Sequence, residues 1–79
     1  MVTEQQVIEV IANALNIKSD EITASSSTAN VESWDSLGHL SILTALDQRF
    51  DGKIAEIGEM AEAESLDKII NLLKSKSLI

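Results

Sequence analysis

The fold is decided at a junction between a polar loop and a helix, Trp34-Asp35-Ser36-Leu37-Gly38-His39-Leu40. Asp35 is a favoured N-cap residue, because its carboxylate accepts hydrogen bonds from the free amides of the next turn. Ser36 then takes the first helical position, where unpaired amides and the helix dipole favour a negatively charged group. A phosphate on the Ser36 hydroxyl would be stabilised there. We therefore expect the rest of the chain to be a scaffold that presents this corner.

The composition predicts a single all-α domain over residues 1–79. The chain has no cysteine, no proline and only 3 glycines, so disulfides are excluded and little interrupts helix formation. Valine and isoleucine recur at helical spacing and not in alternation. A chain of 79 residues lies near the lower limit for folding on one core. We expect a small four-helix bundle, with three longer helices, one short helix and a long loop between the first two long helices.

Apolar periodicity and capping residues give the helix boundaries. The predicted helices are 4–15, 36 to about 50, a short one at about 55–61, and one that begins after Ser65. Thr3 and Gln6 have the spacing of a capping box at the start of the first helix. Gly52 suits a left-handed C-cap after the second helix. Gly58 weakens the short element, for which one or two turns are predicted.

Residues 16–35 form a connection that is long for a compact domain, and such loops are usually functional. The serine-rich part resembles a flexible linker, but apolar residues recur around it. We expect a crossover pinned to the core by Ile17, Ile22, Val31 and Trp34, with a single turn near residues 19–22.

The second helix has two faces of different character. The apolar face is formed by Ile42, Leu43, Leu46 and Phe50, and His39 projects to the same side. Leu37 and Leu40 lie on roughly the opposite side. They form a docking patch if they are exposed, or they tuck under Trp34 or the loop, and the sequence leaves both arrangements open.

Charge and hydropathy limit the partners. The chain has 13 acidic and 6 basic side chains, for a net charge of −7, which argues against binding to nucleic acid. It contains no apolar stretch of about 20 residues that would span a membrane. No signal peptide is visible. The acidity suits partners with basic docking patches, or it only keeps the chain soluble. We expect a cytoplasmic monomer whose partners have basic or apolar docking patches.

Self-contained catalysis is not expected. Ser36, His39 and Asp35 could be imagined as a triad, but the sequence lacks the G-x-S-x-G elbow of serine hydrolases. His39 is the only histidine, and its placement predicts a core-side residue. Scattered carboxylates without histidine or cysteine partners give no recognisable metal site. We expect no catalytic residues and no metal ligands.

The chain resembles the acyl carrier protein family. The resemblance lies in the D-S-L motif at residues 35–37, placed at a helix start after a long loop in an acidic all-α chain. It implies that Ser36 is esterified with 4′-phosphopantetheine, taken from coenzyme A by a separate phosphopantetheinyl transferase. The arm would hold acyl or aminoacyl groups as thioesters and deliver them to acyl-loading and acyl-processing enzymes. Asp35 would cap the helix and be recognised by the transferase. Gly38 would keep the wall beside Ser36 low for an approaching enzyme, or it is merely a tolerated weak helix former.

The resemblance also implies a docking surface on the second helix and the short element. The predicted docking residues are Leu37, Leu40, Thr44, Asp47, Glu56, Glu59 and Glu62. Typical fatty-acid carriers have acidic residues directly after D-S-L, whereas this chain has Gly38, His39 and Ser41 there. The departure favours a discrete carrier of a specialised pathway, such as polyketide, modified-lipid or aminoacyl-transfer systems, over the ordinary fatty-acid carrier. The alternative is an unmodified helical module that binds a protein through Leu37 and Leu40.

Overall fold

The computed structural model describes residues 2–79, which contain three α-helices and no β-strand. The helices are α1 (Glu4–Leu15), α2 (Ser36–Arg49) and α3 (Leu66–Ser75). A side chain caps each one, because Thr3, Asp35 and Ser65 all accept from the backbone amide three residues further on. The all-α prediction is confirmed, and the predicted boundaries of α1 are those of the structure. None of the helices within residues 2–79 is long and apolar enough to cross a membrane.

The short helix predicted at about 55–61 is divided in two in the structure. It consists of two 3₁₀ helices, Ile54–Glu56 and Gly58–Glu62, called here the 54–62 segment. Ile57 separates them in an extended conformation, with φ −102° and ψ 92°. The extended backbone at Ile57 interrupts the helical hydrogen bonding, so one continuous short helix does not form.

One buried cluster joins all three α-helices and the 54–62 segment. α1 and α2 make the most extensive helix–helix contact, and α3 packs against both α1 and the 54–62 segment. The largest fully buried side chains are Trp34, Ile11, Ile42, Leu46, Met60, Ile69, Leu73 and Val7. The apolar stripes of the helices therefore meet in one interior, as the periodicity predicts.

The long loop is anchored and internally hydrogen-bonded. Ile22 and Trp34 are buried, and a 3₁₀ turn forms at Ser19–Glu21. The loop also pairs with the start of α3: the amide of Thr28 donates to the carbonyl of Glu64 at 3.1 Å, and that of Leu66 donates to Ser26 at 3.0 Å. The predicted anchoring is confirmed. These contacts hold the loop end that leads into α2.

Candidate functional site

Asp35 and Ser36 form a capped helix start. The Asp35 carboxylate accepts from the Gly38 amide at 2.8 Å, and its carbonyl accepts from the His39 amide at 2.8 Å. Ser36 is the first residue of α2 and is exposed. Within residues 2–79, the amides of Ser36 and Leu37 have no hydrogen-bond acceptor, as is usual for the first turn of a helix. The Ser36 hydroxyl is thus accessible and lies beside two free donors at the positive end of the helix dipole.

Gly38 packs inward, which corrects both sequence-based interpretations of this residue. It is buried, and a Cβ built on it would overlap with the carbonyl oxygen of Ser33 and lie 2.9 Å from Cδ2 of Leu15. Gly38 is therefore not part of a low wall beside Ser36, nor merely a tolerated weak helix former. Glycine is needed here because the loop backbone passes directly against the first turn of α2.

His39 is buried on the core side of α2, the side that the helical spacing predicts. The indole Nε1–H of Trp34 donates to Nδ1 of His39 at 3.1 Å, and Nε2 lies 2.9 Å from the carbonyl oxygen of Met60. Both ring nitrogens are thus engaged away from Ser36. His39 does not act as a base for the Ser36 hydroxyl, so Ser36, His39 and Asp35 do not form a catalytic triad.

Leu37 and Leu40 are the exposed large hydrophobic residues of the structure, with 76% and 60% of their surfaces accessible. This exposure excludes the alternative in which the two leucines tuck under Trp34 or the loop. Trp34 itself lies in the core and is 1% exposed. The two leucines lie three residues apart on α2, so they share one helix face next to Ser36.

A mainly apolar cleft of about 360 Å³ lies between α2 and the 54–62 segment. Leu43, Thr44 and Asp47 line it from α2. The Thr44 hydroxyl donates to the carbonyl of Leu40 at 2.9 Å, and the Asp47 carboxylate accepts from the amide of Ala55 at 2.9 Å. Two predicted docking residues thus come together at this cleft, and the Asp47 carboxylate is already engaged in a backbone contact across it.

The three predicted docking glutamates are exposed but do not line this cleft. Glu59 and Glu62 border a depression shared with Lys68 of α3, and Glu56 borders one shared with Lys53 and Lys76. The side of the 54–62 segment that faces α2 is formed by small and apolar residues, Ile54, Ala55, Ile57, Gly58, Met60 and Ala61. The negative charge therefore lies on the outer sides of the segment, next to basic residues.

Comparison with known proteins adds the decisive observation. The chain is 34% identical over 71 residues, which span 90% of this chain and 88% of the relative, to the acyl carrier protein of Borreliella burgdorferi strain ZS7. The match to the protein of the same name from strain B31 has the same extent. The chain belongs to the acyl carrier protein family. No family model matches the chain, and no solved structure matches it.

Membership of the acyl carrier protein family establishes the general role. Members of this family are carriers in acyl biosynthesis and not enzymes, and their prosthetic group is a covalently attached 4′-phosphopantetheine. They interact with acyl-processing enzymes and with a phosphopantetheinyl transferase. The chain contains no cysteine, so the working thiol of this carrier belongs to its prosthetic group.

Proposed function

We propose that Ser36 is the attachment point of the phosphopantetheine arm. The observation that carries this proposal is the exposed Ser36 hydroxyl at the first position of α2, beside the free amides of Ser36 and Leu37. A phosphodiester at this hydroxyl would be stabilised by those donors and by the dipole of α2. The donor set at this helix start therefore fits the prosthetic group of the family.

The residues around Ser36 hold the attachment point in place. Asp35 caps α2 through the Gly38 amide, which leaves the first two amides free for a phosphate. Gly38 lets the loop lie against the helix, and Trp34 anchors that loop in the core. When bound, the arm supplies a terminal thiol that carries the acyl group as a thioester. The chain itself needs only to orient the arm and offer a surface to its partners.

Partner enzymes are proposed to dock chiefly through apolar contacts on α2. Leu37 and Leu40 are exposed beside Ser36, whereas Gly38 and His39 are buried and therefore unavailable to partners. Fatty-acid carriers have acidic residues where this chain has Gly38, His39 and Ser41, and of these three residues only Ser41 is exposed. Glu56, Glu59 and Glu62 would contribute charge further out, and Thr44 and Asp47 would border the contact. A partner with an apolar patch rimmed by basic residues fits this surface.

The neutral surface of α2 also supports a specialised pathway over ordinary fatty-acid synthesis. Between Leu37 and Phe50 the only acidic residue is Asp47, and its carboxylate is engaged by the Ala55 amide. We infer a discrete carrier of polyketide, modified-lipid or aminoacyl groups, formed by one domain over residues 1–79. We also propose that the protein is a cytoplasmic monomer, which gel filtration and cell fractionation test.

The second candidate function is an unmodified interaction module. The exposure of Leu37 and Leu40 supports it, because such a patch could bind a protein without any prosthetic group. The two functions differ in what happens at Ser36, since only the carrier requires its modification.

Intact-mass spectrometry distinguishes the two functions. The purified protein is incubated with coenzyme A, Mg²⁺ and a broad-specificity transferase. We expect one phosphopantetheine mass on the wild type and on Ser41→Ala, and none on Ser36→Ala. Ser41 is a matched control because it is also an exposed serine of α2. A wild type that stays unmodified with several transferases would favour the unmodified module.

A further inference from the structure

His39 is a buried polar residue that the attachment chemistry of Ser36 does not require. Its ring lies nearly parallel to that of Trp34, with an interplanar angle of 17° and 6.2 Å between centroids. The indole N–H can only donate and a backbone carbonyl can only accept, so the partners assign the tautomer with the proton on Nε2. His39 thus links the loop, α2 and the 54–62 segment in one specified arrangement.

The 54–62 segment is bound to α2 by one side-chain hydrogen bond at each end of the cleft. His39 Nε2 donates to the carbonyl of Met60 at 2.9 Å, and the Asp47 carboxylate accepts from the amide of Ala55 at 2.9 Å. His39 and Asp47 lie about two turns apart on α2, with Leu43 and Thr44 of the cleft between them. These two bonds are called here the tethers.

The 54–62 segment depends on such tethers because its own structure is weak. Its 3₁₀ helices have three and five residues, and 3₁₀ hydrogen bonds have poorer geometry than those of an α-helix. The carbonyl of Met60 accepts from both the His39 ring and the amide of Ala63, which lies 3.1 Å away. Loss of the His39 bond would therefore loosen the turn that closes one wall of the cleft.

We propose that His39 is a positioning residue whose bond to Met60 sets the width of the cleft and thereby selects the size of acyl group that it accepts. The cleft is mainly apolar, which suits an acyl chain. Its volume of about 360 Å³ lies at the small end of the range for ligand sites, so a modest movement of its wall changes the length of acyl chain that fits. The selection of acyl groups rests on the proposed carrier function, whereas the tether itself can be tested without it.

Hydrogen exchange on the unmodified protein tests the tether. His39→Leu fills the site with an apolar side chain and removes both hydrogen bonds, whereas the amide of His39→Gln offers a carbonyl acceptor and an NH₂ donor group. Thr44→Val is the control, because it changes a cleft residue of α2 and leaves both tethers intact. We expect the amides of Met60 and Ala63 to exchange about tenfold faster in His39→Leu. The amides of α1 should be unchanged, and His39→Gln should restore most of the protection.

Two results would overturn the tether. One is uniform acceleration across α1 and the 54–62 segment, which would show that His39 contributes only to the stability of the core. The other is a set of imidazole ¹⁵N shifts that places the proton of wild-type His39 on Nδ1. This measurement needs no variant, so it does not depend on whether a variant folds. A proton on Nε2 supports the assignment.

Acyl groups of increasing length, attached through the phosphopantetheine arm, test the selection. The amide shifts of Leu43 and Ala61 report on occupancy of the cleft, because both residues line it. In the wild type these shifts should stop changing above a limiting acyl chain length, and in His39→Leu that limiting length should be greater. The same limiting length in both proteins would overturn the proposed selection. If Ser36 takes no phosphopantetheine, the carrier proposal fails while the exchange result still decides the tether.

Discussion

Replacement of Gly38 by alanine tests whether the loop holds the start of α2 by direct backbone contact. The new Cβ would overlap with the carbonyl oxygen of Ser33 and lie 2.9 Å from Cδ2 of Leu15. The leucine methyl can move aside. The Ser33 carbonyl moves only together with the backbone that leads into Trp34, which is 1% exposed and fixed in the core. The clash therefore has to be relieved by shifting either the loop or α2.

The expected cost follows from two opposing terms. Overpacking of a well-packed site costs about 1–3 kcal/mol, and contact with backbone places Gly38→Ala in the upper part of that range. Alanine is the better helix former by about 1 kcal/mol, which offsets part of the cost. We expect the free energy of unfolding to fall by about 1–2 kcal/mol. The shifted helix start should also slow the modification of Ser36.

Urea denaturation measures this cost, with Gly58→Ala as the matched control. A Cβ at Gly58 has nothing within 4 Å, and its φ is not in the left-handed region. Gly58→Ala should therefore be neutral or stabilise the protein by about 0.4–1 kcal/mol. With a urea m-value of about 1 kcal/mol/M for a chain of this size, the midpoint of Gly38→Ala should fall by about 1–2 M. If Gly38→Ala were as stable as the wild type, the close approach of Ser33 would be refuted.

Three further predictions concern the core, the cap and the docking patch. Leu46→Ala should lower the free energy of unfolding by about 2–5 kcal/mol, because Leu46 is 0% exposed, and urea denaturation checks this. Asp35→Ala should cost about 0.5–2 kcal/mol while Asp35→Asn retains most of the stability, since asparagine also caps. The rate at which a transferase modifies Asp35→Asn then shows whether the enzyme recognises the Asp35 carboxylate itself. A wild-type rate would mean that capping of α2 is sufficient. Leu37→Asp and Leu40→Asp should change stability by no more than about 0.5 kcal/mol and yet impair loading or delivery. Unfolding of either leucine variant, detected by circular dichroism, would place that leucine in the core and contradict the docking patch.

The sequence predicts those parts of the fold that depend on local interactions. Thr3 and Gln6 form the capping box at the start of α1, and Asp35 caps α2. Each of these bonds spans three residues, so a short motif specifies it completely. The core face of α2 also follows from spacing alone, because 3.6-residue periodicity places Ile42 and Leu46 on one side.

Features that depend on contacts between distant parts of the chain could not be predicted. Gly38 is buried because the loop backbone at Ser33 and the Leu15 side chain of α1 both approach it, and no motif encodes this arrangement. Helical spacing predicts His39 on the core side of α2, but its bond to Met60 joins residues 21 positions apart and is not predictable from spacing. The exposure of Leu37 and Leu40 likewise depends on where the loop passes. The division of the 54–62 segment into two 3₁₀ helices follows the extended backbone at Ile57, which no local motif specifies.

Peptide-level localisation of the prosthetic group tests the central claim most directly. Trypsin releases residues 19–49 as one peptide, which contains Ser36 among seven serines. Tandem mass spectrometry of protein loaded by a transferase identifies the modified serine. We expect one phosphopantetheine, on Ser36 alone, and no modified peptide from Ser36→Ala. A phosphopantetheine on any other serine of this peptide, or its persistence in Ser36→Ala, would contradict the assignment of the helix start of α2 as the attachment site.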